Sequence, residues 1–187
     1  MSSAPPRKAR SDAQANRQKI LQAAHFQFAQ DGPDASLNEV ARRAGVGVAT
    51  LYRHFPARDD LVAAVYANEL DELGTAVDEY LATMTPDEAL TAWGQRFLEY
   101  ATTKRGLGEA LHAIRARGEL QPKTVLTQSM DKLLEAGRAA GSIKVDDTSE
   151  DLLFAFAGLW TLPHDERFAG RAQRLLDLVL AGLRRAA

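Results

Sequence analysis

The 187-residue sequence has no cysteine, which excludes disulfides, thiolate metal sites and cysteine nucleophiles. Its net charge is only -2, which argues against a protein that coats nucleic acid uniformly. No apolar run approaches the roughly 18 residues of a membrane span, so no membrane partner is expected. The stretch MSSAPPRKARSDAQANRQ lacks the apolar segment of a secretory signal, and the cytoplasm is the expected compartment. The four histidines, at 25, 54, 112 and 164, are scattered, and H-E-x-x-H, G-x-S-x-G and P-loop patterns are missing. Hence no catalytic residue, metal site or cofactor is expected. The carboxylate-rich ELDELGTAVDE reads as the solvated face of a long helix, which leaves an all-helical enzyme as a weak rival.

What is present is a globular composition, 45% hydrophobic and 26% charged, with charge unevenly placed. Residues 1–56 hold eight Lys/Arg against four Asp/Glu, whereas the remainder holds fifteen against twenty-one. Only the first part is suited to meet a polyanion. Strand-like alternation is missing, and apolar residues recur at helical spacing almost throughout. The expected fold is all-α: a three-helix N-terminal domain, then a helical bundle, about nine helices in total. Residues 1–14 read as a disordered basic arm, 15–60 as the first domain and 61–187 as the second. In the arm, Arg7, Lys8 and Arg10 either reach a minor groove or form a tail with weak, salt-sensitive attraction.

Helix 1 is expected over about 16–30, with Ile20, Leu21, Ala24 and Phe28 on one face. Ser36 and Glu39 have capping-box spacing and open a short second helix that Gly45 ends. A third helix runs through Leu51 to Phe55 and stops before Pro56. A long helix follows over about 58–82. Thr85-Pro86-Asp87-Glu88 opens another, with proline in its first turn. Further helices are expected over about 106–116, 122–140 (with Gly137 in its apolar stripe), from a cap at Thr148 through DLLFAFAGLW, and over 165–185.

Placed on a helix at about 100° per residue, GVATLYRHF turns Leu51 and Phe55 inward. Ala49 and Arg53 point away, Thr50 and Tyr52 flank, and His54 leans partly inward. A short helix, a glycine turn and a second short helix form a helix-turn-helix pattern, whose second helix a DNA major groove receives. Arg53 can fork to guanine O6/N7 or to phosphate. Thr50 and Tyr52 can donate to phosphate oxygens, which fixes register without reading sequence. Val48 and Ala49 allow close approach and contact with thymine methyls. The helix starts at Ser36 and near Arg58 expose N–H groups that favour phosphate. Arg43, beside Arg42, is either solvated surface or a phosphate contact.

These residues carry a resemblance. SLNEVARRAGVGVATLYRHFPARDDLVAAV, with ILQAAHFQFAQDG before it, resembles the DNA-binding domain of TetR-family transcriptional regulators over about residues 16–66. By position, the resemblance implies that Thr50, Tyr52, His54 and Arg58 contact DNA, often at phosphate. It implies that Val48, Ala49 and Arg53 set operator preference. The chain departs from the family pattern at Gly47 and Ala57, where Ser or Thr is frequent. It departs again at His25, Phe26 and Gln27, where apolar-polar-apolar is usual. The family also implies that the remaining helices bind an effector and dimerise.

In that second part, Leu90, Trp93, Phe97 and Tyr100 share one helix face, which reads as core or as the wall of a pocket for a small hydrophobic or amphipathic effector. Leu111, His112, Met130 and Phe156 are the further pocket candidates. The segment LLFAFAGLW is apolar all round and needs cover on more than one side. Phe154, Ala157 and Trp160 from it, with Leu175, Leu176, Val179 and Leu183 from the last helix, are expected at a homodimer interface, the alternative being a monomer core. The function expected is a sequence-specific, homodimeric repressor released from a double-stranded DNA operator by the effector. An activator and a ligand-independent regulator are the alternatives.

Overall fold

The computed structural model describes residues 7–32, 34–106, 122–143, 148–163, 165 and 167–184. The fold is all-α, with eight α-helices among the described residues. They are α1 (Arg7–Asp31), α2 (Leu37–Ala44), α3 (Val48–His54), α4 (Arg58–Thr83), α5 (Pro86–Gly106), α6 (Pro122–Ala139), α7 (Ser149–Ala157) and α8 (Phe168–Leu183). A 3-10 turn, Gly158–Thr161, follows α7, and one isolated bridge joins Ile143 to Arg184. The helix expected over 106–116 falls outside the described residues. None of the described helices is long and apolar enough to cross a membrane.

The first helix is longer than its apolar periodicity suggests. Residues 7–14, expected as a disordered arm, have helical backbone. The physical reason is compositional: Arg, Lys, Ala and Gln favour a helix, and the stretch holds no large apolar residue, so no apolar stripe announces it. The side chains of Arg7, Lys8 and Arg10 are outside what the structure describes.

The chain packs into two compact units that divide within α4, between Asn68 and Glu69. In the first, α2 packs on α1 and α3 on α2. Its core is Ile20, Leu21, Ala24 and Phe28 of α1, Val40 and Ala41 of α2, Leu51 and Phe55, and Leu61, Val62 and Val65 of α4. Gly45 ends α2 with φ 66°, a left-handed conformation that a β-carbon disfavours, and this sets the angle from α2 into α3.

The Ser36–Glu39 capping box does not form. Ser36 is the N-cap residue but its side chain makes no cap bond. Glu39 instead accepts from Arg42, at 2.8 Å from Nε and 2.7 Å from Nη2. A guanidinium three residues ahead competes successfully with a backbone amide behind. The other two caps form. Glu88 accepts from the Thr85 amide at 2.9 Å, and Thr148 and Asp151 close a reciprocal box. Ala57, a poor cap by type, has its N–H satisfied at 2.9 Å by Asp60 Oδ2.

In the second unit α6 packs on α7 and α7 on α8. Arg96 of α5 ties that helix to α4, donating to buried Glu69 at 3.1 Å and to Glu72 at 2.7 Å. Lys132 of α6 bridges to Asp78 of α4 at 2.6 Å. After α6 the chain folds back so that Ile143 Cδ1 lies 2.3 Å from where a β-carbon on Gly137 would stand. Only glycine fits at position 137 without moving Ile143.

Candidate nucleic-acid interface

The α3 helix presents the site. Leu51 is 0% exposed and Phe55 3%, so both hold the helix to the unit's core. Opposite them Gly47, Val48, Ala49, Tyr52 and Arg53 are exposed, and Thr50 and His54 are half-buried. Tyr52, at 47% exposure, is a large aromatic left in water with its hydroxyl available. Gly47 caps α3 in extended conformation, φ -69° and ψ 146°, which any residue adopts, and an added β-carbon would meet nothing closer than Thr50 Oγ1 at 4.0 Å.

Three arginines nearby are arranged by contacts with neighbouring side chains and backbone. Arg53 Nη2 donates to Thr50 Oγ1 at 3.0 Å, and its Nε reaches the Ala49 carbonyl at 3.4 Å. Arg43 lies over the ring of Phe26, 3.4 Å from its centroid, and Arg17 lies 5.3 Å from the Phe55 centroid. The odd placement of Phe26, apolar where a polar residue is usual, was the one available signal. Lys19, Phe26 and Arg43 line an open groove of about 470 Å³ between α1 and α2. Arg42 is engaged by Glu39, whose hydrogen bond raises the guanidinium pKa above its ordinary value.

Arg58 is half-buried and donates from Nη1 to the Ala35 carbonyl at 2.9 Å. It thus fixes the start of α4 to the loop before α2. Ser36 is exposed one residue beyond Ala35, and the α2 amides behind it carry no side-chain cap. The first unit therefore holds all ten residues read from the sequence as DNA contacts, on α2, α3, their N-caps and the start of α4. They differ in how free they are to reach outward.

The sequence-derived pocket residues of the second unit form a packed cluster. Trp93, Phe97, Tyr100, Met130 and Phe156 are all 0% exposed. Ring centroids lie 5.6 Å apart for Trp93–Phe97, 5.7 Å for Phe97–Tyr100 and 4.9 Å for Phe97–Phe156. The Trp93 indole N–H donates to the Leu73 carbonyl at 3.0 Å, so this polar handle has a partner inside the chain. Leu111 and His112 lie outside the described residues. An open groove of about 660 Å³ lies elsewhere, between α4 and α6, lined by Asp71, Thr75, Val125, Ser129 and Lys132 among others.

The expected dimer residues divide. Phe154 is 69% exposed, and Ala157, Leu175 and Val179 are half-buried. Leu176 and Leu183 belong instead to the chain's own core, at 0% and 4%. Gly94 of α5 is the reason for Leu176: Cδ1 of the leucine comes within 2.9 Å of where a β-carbon on that glycine would be. The side chain of Trp160 is outside what the structure describes. Sequence reading missed Leu178, which is 70% exposed. Its spacing of three from Leu175 puts it on the same side of α8 and was the signal.

Residues 20–65 match the family described as bacterial regulatory proteins, tetR family, and residues 85–185 match the C-terminal domain of SbtR-like transcriptional regulators. An HTH-type transcriptional regulator of Staphylococcus aureus is 43% identical over 63 residues, which is 33% of this chain and 34% of the relative. The chain thus matches about a third of the length of such curated relatives. Among solved structures, a TetR transcriptional regulator from Streptomyces coelicolor is 43% identical with a TM-score of 0.82, over 91% of this chain and 99% of that one. A TetR transcription regulatory protein from Mycobacterium vanbaalenii is 28% identical with a TM-score of 0.74, over 95% and 99%.

Proposed function

Since the chain belongs to the TetR family of DNA-binding transcriptional regulators, we propose that it is a cytoplasmic homodimeric repressor, released from its operator by a small hydrophobic or amphipathic molecule. The observation that carries this reading is the outward face of α3, where Ala49, Tyr52 and Arg53 stand exposed above buried Leu51 and Phe55. Such a face suits a major groove, with Arg53 at base edges and Tyr52, His54 and Arg58 at phosphates. Two copies about 34–36 Å apart would enter successive grooves of a near-palindromic operator. Support for the second copy comes from Phe154 and Leu178, large apolar side chains standing in water on adjacent helices.

Release would run through α4, whose first residues belong to the first unit and whose remainder belongs to the second. An effector acts only by binding one arrangement of that helix better than another. The coupling is reciprocal and typically about 1–3 kcal/mol, so operator-bound protein binds the effector more weakly. Independent affinities for operator and effector would end the release mechanism and leave DNA binding untouched.

The test of DNA binding is a mobility shift on duplexes spanning the DNA upstream of the gene. Arg53→Ala is expected to lose about 1–3 kcal/mol and to relax preference at one base pair. A native chain that sediments as a monomer and ignores every duplex at low salt overturns the reading. A second reading, a regulator without effector, is favoured by the ring-to-ring packing of Trp93, Phe97 and Phe156. It holds if no member of a panel of hydrophobic small molecules shifts the melting temperature or operator affinity.

A further inference from the structure

We propose that Thr50 is a positioning residue for Arg53, so that the two side chains read one base pair as a unit. The inference rests on α3 being the DNA-contacting helix. Positions three apart on a helix are surface neighbours, and here the neighbours are bonded: Arg53 Nη2 donates to Thr50 Oγ1 at 3.0 Å. A longer contact, 3.4 Å from Nε to the Ala49 carbonyl, turns the inner edge of the guanidinium back along the helix. Arg53 is exposed, and an exposed arginine otherwise samples many rotamers.

The donor count gives the arrangement its consequence. A guanidinium has five N–H donors in a rigid fork. With one on Thr50 and one on Ala49, three remain, and they include the end-on pair from Nη1 and Nη2. That pair has the geometry to grip guanine O6 and N7 together. Thr50 decides where the fork points. The residue is half-buried in α3's first turn, and its β-branch limits the side-chain torsion. Gly47 leaves it unchallenged, since no side chain from that position competes for Oγ1. In accepting from Arg53, Thr50 still keeps its own proton for a phosphate oxygen, which ties base reading to backbone register.

A residue that merely touches phosphate lowers affinity evenly across sequences, whereas one that aims a base-reading arginine lowers discrimination at that base. The experiment selects duplexes from a random pool with the native protein. Affinities are then measured on the selected operator and all its single-base variants, for Thr50→Val, Thr50→Ser, Arg53→Ala and the double change Thr50→Val with Arg53→Ala. Thr50→Val, which keeps shape and removes the acceptor, is expected to lose about tenfold discrimination at the base pair where Arg53→Ala also loses it. Thr50→Ser should restore most of the preference, and the double variant should discriminate no worse than Arg53→Ala alone. An even loss across all duplexes with preference intact, or no change at all, overturns the proposal. If the native protein selects no sequence, the failure lies in the reading of α3 itself and is seen before any variant is made; this inference falls with it.

Discussion

Helices α3 and α8 are alike in what they bury and differ in what they leave exposed. Each buries one stripe: Leu51 with the adjoining Phe55 for α3, Leu176, Leu180 and Leu183 for α8. Their outward faces diverge. Around α3 the exposed side chains are an alanine, a phenol and a guanidinium, beside one valine. On α8, Leu178 is 70% exposed, with Phe154 of α7 at 69%. A polar, cationic face is content in water and gains by meeting phosphates and base edges. An apolar face loses in water and gains by meeting its own kind. The inward face of a helix reports its fold, and the outward face reports its partner.

The deepest cut at this contrast removes the support behind it. Phe97→Ala empties the centre of the aromatic cluster and is expected to cost about 3–5 kcal/mol, read by denaturant unfolding of the second unit. Core truncation should lower stability wherever it is made. Truncation of an outward face should not, and that asymmetry is the point under test. Leu178→Ala is therefore expected to leave monomer stability nearly unchanged and to weaken self-association by about 2 kcal/mol per copy, read by sedimentation equilibrium. An unaltered association constant would move the dimer face away from α8.

Smaller effects test the caps that frame both regions. The Glu88 carboxyl lies below its ordinary pKa of 4.5, chiefly because the Thr85 amide donates to its charged form, and the Thr85 hydroxyl adds to this. A depressed folded pKa contributes stability that is fully present above the ordinary value and is lost as pH falls through the folded one. Glu88→Gln removes that contribution, so the variant should melt below the native chain at neutral pH, show a flatter drop below about pH 4.5, and converge with it in acid. Asp151→Asn should do the same in a slightly more acid window, since Thr148 holds that carboxyl below its ordinary 3.8. Smallest of all, Gly47→Ser should stabilise the first unit by a few tenths of a kcal/mol, because glycine is already a fair N-cap and position 47 has open space.

Much of the architecture was readable beforehand. The inward turn of Leu51 and Phe55, the break at Gly45, the caps at Thr85 and Thr148 and the single buried stripe of Leu90, Trp93, Phe97 and Tyr100 all follow from local spacing. The helical stretch before Asn16 did not, because it holds no large apolar residue and so leaves no periodic trace. The Ser36–Glu39 box was legible as a pattern and did not form, since the pattern cannot weigh Arg42 against a backbone amide. On the outward face of α3, residue types and their direction were readable. The stacking of Arg43 on Phe26 and the bond from Arg53 to Thr50 were not.

The sequence alone determined the helices, most of their ends and the outward polarity of α3, because these depend on neighbours within a turn or two along the chain. Only tertiary structure decided that Leu176 lies inside and Leu178 outside, or that the Trp93 indole meets the Leu73 carbonyl. Both leucines are equally apolar and two residues apart. Helical spacing puts the two on opposite faces of α8, but which face turns inward depends on another helix, where Gly94 leaves room for the Leu176 side chain.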